Sequence, residues 1–73
     1  MSKQEFNEIF ELLKINYAKE IESQIEDVWF DEFKDMTKED FKKRVINWIA
    51  KETTFPTIHE VSYFSELGRL IFR

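Results

Sequence analysis

Thr37-Lys38-Glu39-Asp40-Phe41-Lys42-Lys43-Arg44-Val45-Ile46-Asn47-Trp48-Ile49 is the stretch that decides the fold. A threonine followed three residues later by an acid satisfies exposed N–H groups at a helix start and complements the positive end of the helix dipole. Behind that start, Phe41, Val45, Trp48 and Ile49 recur at helical spacing and predict an amphipathic helix over about 38–52. The same start signal stands at Ser2/Glu5, Ser23/Glu26 and Thr57/Glu60. Chance gives roughly one or two such matches, so four of them, each heading an apolar-periodic stretch, predict four helix N-termini. Upstream, Phe6, Ile9, Phe10, Leu13 and Tyr17 form one face of a helix over about 3–17. Ile25, Val28, Trp29, Phe33 and Met36 are expected inward on a helix over about 24–35. Downstream, Phe55 precedes Pro56, which biases it toward extended backbone. A fourth helix is expected over about 58–67, carrying Val61, Phe64 and Leu67. Gly68 reads either as its C-terminal cap or as a mid-helix defect costing about 1 kcal/mol relative to Ala.

These elements make an all-α fold, a small bundle of about four short helices in a single domain over 1–73, with an apolar end at 68–73. A chain of 73 residues without Cys has neither disulfides nor a cysteine zinc site to staple it. Eight Phe, two Trp and two Tyr must supply the core instead. One Gly and one Pro are too few turn-formers for a many-stranded β fold. Residues 1–7 are polar and no apolar run approaches a membrane span, so neither a signal peptide nor membrane insertion is expected. The absence of Cys is compatible with a reducing cytoplasm. A formal charge of −4 argues against direct nucleic-acid binding, which needs phosphate-neutralising Lys and Arg. A basic protein surface is the more natural partner.

Catalytic patterns are nearly absent. His59-Glu60 opens a zinc-type His-Glu-x-x-His pattern, but position 63 is Tyr. The single His, the single Gly and the lack of Cys leave no material for a nucleophilic site or a phosphate-cradling loop. No enzyme activity, cofactor or metal is expected. Lys42-Lys43-Arg44 is the only basic run, and consecutive helical residues diverge by about 100°, so it makes no concentrated phosphate site. Trp29 and Trp48 lie on inward stripes, as core residues rather than base-stacking platforms.

Carboxylates are the conspicuous charged feature. Seven acids stand between Glu20 and Asp35 against one basic residue, Lys34. Asp27, Asp31 and Asp35, at i, i+4 and i+8, are expected to form an acidic ridge opposite Trp29. Such a ridge is either a docking site for a basic partner or a solvated helix face; a divalent-metal site has too few well-placed oxygens. Tyr63, Phe64, Leu67, Leu70, Ile71 and Phe72 spread over about half a helical circumference. They are either a last core helix or an offered surface, with Leu70, Ile71 and Phe72 at a partner contact or homodimer seam.

The order of elements resembles the folded N-terminal domain of phage replicative helicase loader/inhibitor proteins. Tyr17 closes the first helix, Trp29 lies early in the second, and Phe55-Pro56-Thr57-Ile58-His59-Glu60-Val61 opens the last. The likeness runs from about Lys3 to Val61 and implies a small all-α bundle. It implies a non-enzymatic phage or prophage adaptor, working in the cytoplasm of the host bacterial cell. Such an adaptor binds the ring-shaped replicative helicase, holds it inactive and delivers it to an origin-bound initiator protein. Two departures stand out. The family often has a Pro-containing loop after the Tyr, whereas Ala18-Lys19-Glu20-Ile21-Glu22 contains no breaker. The best-known type contacts helicase through a flexible charged tail, where this sequence has the apolar residues before Arg73. Tyr17, Trp29 and Pro56 are therefore matched only as fold positions. The alternative use of the same domain is a stand-alone small phage inhibitor of a host or defence protein, docking through the acidic helix and the apolar C-terminus.

Overall fold

The computed structural model describes residues 1–63. Four helices follow in order, α1 (Lys3–Asn16), α2 (Ser23–Phe33), α3 (Lys38–Lys51) and α4 (Ile58–Tyr63), and no strand occurs among the described residues. The expected extension of α4 to 67, with Phe64, Leu67 and Gly68, lies outside the described residues. Three of the four start signals act as caps. Ser2 and Glu5 form a reciprocal capping box, with Oγ accepting from the Glu5 N–H at 3.1 Å and Oε1 from the Ser2 N–H at 2.9 Å. Thr37 accepts from the Asp40 N–H at 3.1 Å, and Thr57 and Glu60 repeat the reciprocal box at 3.2 and 2.9 Å.

The fourth signal does not cap. Glu22, in extended backbone, holds the N-cap of α2 without a side-chain bond, and its carbonyl takes the Ile25 and Glu26 N–H groups at 3.0 Å each. Ser23 is thus already the first helical residue, where its hydroxyl cannot satisfy the turn ahead of it. Helix α2 also ends at Phe33 rather than 35, leaving Met36 beyond it.

Helix α1 stops without Gly or Pro. The Lys19 N–H reaches the Lys14 carbonyl at 2.9 Å and the Ala18 N–H the Ile15 carbonyl at 3.2 Å, the paired bonds of a Schellman ending. That ending places Ala18 at φ 50°, a left-handed conformation in which its Cβ is crowded. The loop to α2 is thereby made by backbone hydrogen bonds rather than by a breaker residue.

The core comprises Phe6, Ile9, Phe10 and Leu13 from α1, Trp29 and Phe33 from α2, Phe41, Val45 and Trp48 from α3, and Val61 from α4, each at most 4% exposed. Phe6, Phe10, Trp29, Phe33 and Phe41 close a ring of successive aromatic contacts with centroids 5.0–5.8 Å apart. Phe55 stands edge-on to Phe10, Tyr17 and Trp29 at 6.1–6.2 Å. Polar tips tie the following linker to this core: Trp48 Nε1 donates to the Thr54 carbonyl at 2.7 Å, and the Tyr17 hydroxyl to the Glu52 carbonyl at 2.9 Å. Helices α1 and α3 run side by side in the same direction, with Phe6 on Phe41 near their starts and Tyr17 on Glu52 at their ends.

The expected inward face of α2 is corrected on two positions. Ile25 and Val28 are 47% and 58% exposed. The helix is rolled so that Phe30 meets Phe6 edge-on at 5.4 Å and Glu26 meets Lys14, which turns Ile25 and Val28 outward.

Two outcomes follow in urea and thermal denaturation. Phe41→Ala opens the aromatic ring and should cost about 3–5 kcal/mol, whereas Ile15→Ala, on the surface, should stay within about 0.5 kcal/mol. Ala18→Gly should stabilise the fold by about 0.5–1 kcal/mol, because relief of the left-handed strain exceeds the added entropy of the unfolded chain.

Candidate protein-docking surfaces

The acidic ridge is shorter and better balanced than its spacing suggests. Asp27 and Asp31 project from α2, but Asp35 lies in the turn after Phe33, so the three do not continue one helical row. Asp27 accepts from Lys3 Nζ at 2.8 Å, and that ammonium also lies 4.9 Å from the centroid of the Phe30 ring. Asp31 pairs with Lys34 at 3.0 Å, and the hydrogen bond and charge of Asp31 raise the Lys34 pKa above its ordinary value. Glu26, on the opposite edge, accepts from Lys14 at 2.9 Å; this bond, with the charges of Glu26 and Glu11, raises the Lys14 pKa. What the outer face of α2 presents is therefore mixed: Ile25 and Val28 with Asp31 and Glu32 beside them. Leu70, Ile71 and Phe72, the other expected contact residues, lie outside the described residues.

The basic run diverges as helical geometry requires. Arg44 Nη1 turns to α4 and donates to the carbonyls of Ser62 at 2.8 Å and Val61 at 3.4 Å. Lys42, on another face of α3, lines the groove between α3 and α1. His59 sits exposed in the first turn of α4. Trp29 and Trp48 are both buried. Among the described residues no three His, Cys, Asp or Glu side chains converge on a metal position, and no helix is long and apolar enough to cross a membrane.

A second surface escaped the reading of apolar periodicity. Between α1 and α3 lies a groove of about 470 Å³ lined by Leu12, Ile15, Asn16, Lys42, Ile46 and Ile49. Leu12, Ile15 and Ile46 are 39%, 70% and 46% exposed. The signal was present as a remainder. Once Phe6, Ile9, Phe10 and Leu13 are assigned inward, Leu12 and Ile15 remain at i, i+3, and α3 leaves Ile46 outside its stripe, beside the half-buried Ile49.

The chemistry available here is recognition: apolar contact area on rigid helices, edged by charges that set register and partner sign. Because the Asp27 and Asp31 carboxylates are exposed and each is singly paired, Asp27→Asn and Asp31→Asn should leave the urea midpoint essentially unchanged. A clear loss of stability in either variant would make that carboxylate structural rather than free for a partner.

A family model for the N-terminal domain of a phage helicase loader/inhibitor protein matches residues 1–62. No curated protein and no solved structure matches the chain. The match spans all four helix starts, both buried Trp residues and the Phe55–Val61 segment that closes the core. The chain belongs to the N-terminal domain family of phage helicase loader/inhibitor proteins.

Proposed function

We propose that this protein is a non-enzymatic adaptor of phage DNA replication, acting inside the host bacterial cell. It binds a ring-shaped replicative helicase, restrains it and passes it to an origin-bound initiator. The observation that carries this is the family match over residues 1–62. The geometry agrees with it in kind, since the helices expose two apolar surfaces on a rigid aromatic core. Contact with the partner is assigned to the α2 side, through Asp27, Asp31 and Asp35, and to Leu70, Ile71 and Phe72. The excess of acid between Glu20 and Asp35 suits a basic partner surface.

The test is affinity capture of a purified hexameric replicative helicase by the full chain, followed by measurement of its ATPase and unwinding rates. A complex with altered helicase activity is expected. Charge reversal at Asp27, Asp31 and Asp35 together should slow association by about tenfold and flatten its salt dependence. No complex with helicase or initiator at micromolar concentration would overturn the adaptor reading. A complex unaffected by the reversal would remove α2 from the contact while leaving the adaptor reading in place.

A further inference from the structure

Each of the two exposed apolar faces has a charged residue four positions from an exposed apolar one, and the two charges are opposite in sign. On α2, Ile25 and Val28 are followed by Glu32, four residues beyond Val28, and Glu32 has no ionic partner among the described residues. In the groove, Lys42 precedes Ile46 by four residues and likewise has no carboxylate partner among the described residues. Four helical residues span about 6 Å on either axis. We infer that the α2 face of one copy of this chain seats in the α1/α3 groove of a second copy, head to tail. With α2 antiparallel to α3, Ile25 and Val28 lie on Leu12, Ile15, Ile46 and Ile49 while Glu32 meets Lys42. Asp31, held by Lys34 within its own copy, stays at the rim.

The occupant is a second copy because both halves of the contact are present on this one chain. Helix α2 is already folded and rigid, so seating it carries no cost of ordering a peptide. The net charge of −4 repels at a distance but is screened beyond about 8 Å at physiological ionic strength, whereas the Glu32–Lys42 pair acts in contact. The two faces lie on opposite flanks of α1. Lys3 and Lys14 bond α2 on one side, while Leu12 points to the groove on the other. One pair of copies therefore cannot satisfy both contacts at once. Each junction leaves an open groove at one end and an open α2 face at the other, and association propagates as a heterologous interface does.

Sedimentation equilibrium of the full chain tests this without any partner protein. The average mass of the unmodified protein should rise with concentration and pass that of a dimer. Val28→Lys and Ile46→Glu, both at exposed positions, should keep native circular dichroism and each weaken self-association at least tenfold. Mixed together, they retain one intact face each and should form a one-to-one heterodimer and nothing larger. Glu32→Lys and Lys42→Glu should each dissociate the protein, and their combination in one chain should restore association. A mass that stays monomeric at all concentrations would overturn the inference. So would variants that still associate, which would put the contact elsewhere, or a mixture of the two variants that stays monomeric.

Discussion

The closed ring of Phe6, Phe10, Trp29, Phe33 and Phe41 is the interaction on which the rest of the structure depends. It draws two residues from α1, two from α2 and one from α3, so no helix can leave without exposing rings of the other two. Each buried aromatic removes a large apolar area from water, and offset or tilted pairing adds about 0.5–1.5 kcal/mol per contact beyond burial. A chain this short has no disulfide to constrain its unfolded state, and this ring takes that place. Phe55 then fixes the α3–α4 linker against the ring, with Tyr17 and Trp48 donating to its carbonyls.

Concentrating the large side chains in one ring frees other apolar residues for the surface. Leu12, Ile15 and Ile46 are not needed to seal the core, and neither are Ile25 and Val28. The outer edges of three helices consequently carry apolar side chains with charge beside them, on a backbone held still from within. That combination, a rigid scaffold with amphipathic edges, suits a protein whose work is binding other proteins. It is also the arrangement that allows a helix of one copy to meet a groove of another.

Much of the fold was legible from spacing. The capping pairs at Ser2/Glu5, Thr37/Asp40 and Thr57/Glu60 are local hydrogen bonds between residues three apart, and local rules describe them fully. The stripes of α1 and α3 were legible because each buries one continuous face. Ser23/Glu26 misled because a capping pair has meaning only where the backbone leaves the helix, and here it leaves one residue earlier, at Glu22. The acidic ridge was legible as composition but not as geometry. Asp35 drops out because α2 ends early, and Lys3, 24 residues from Asp27 in sequence, supplies a counter-charge that no local pattern contains.

Sequence alone determined the all-α class, the helix starts at Ser2, Thr37 and Thr57, the break at Phe55-Pro56 and the family likeness across most of the chain. These follow from periodicity and short-range hydrogen bonding, which act between near neighbours. Tertiary structure decided which apolar residues are core and which are surface. Helix α2 could have buried Ile25 and Val28, but contact of Phe30 with Phe6 and of Glu26 with Lys14 fixed its roll the other way. It also decided that α1 ends at a strained Ala18, through backbone bonds that close only once the turn has formed. The rotation of a helix about its axis is set by the partners it packs against, and those partners are distant in sequence.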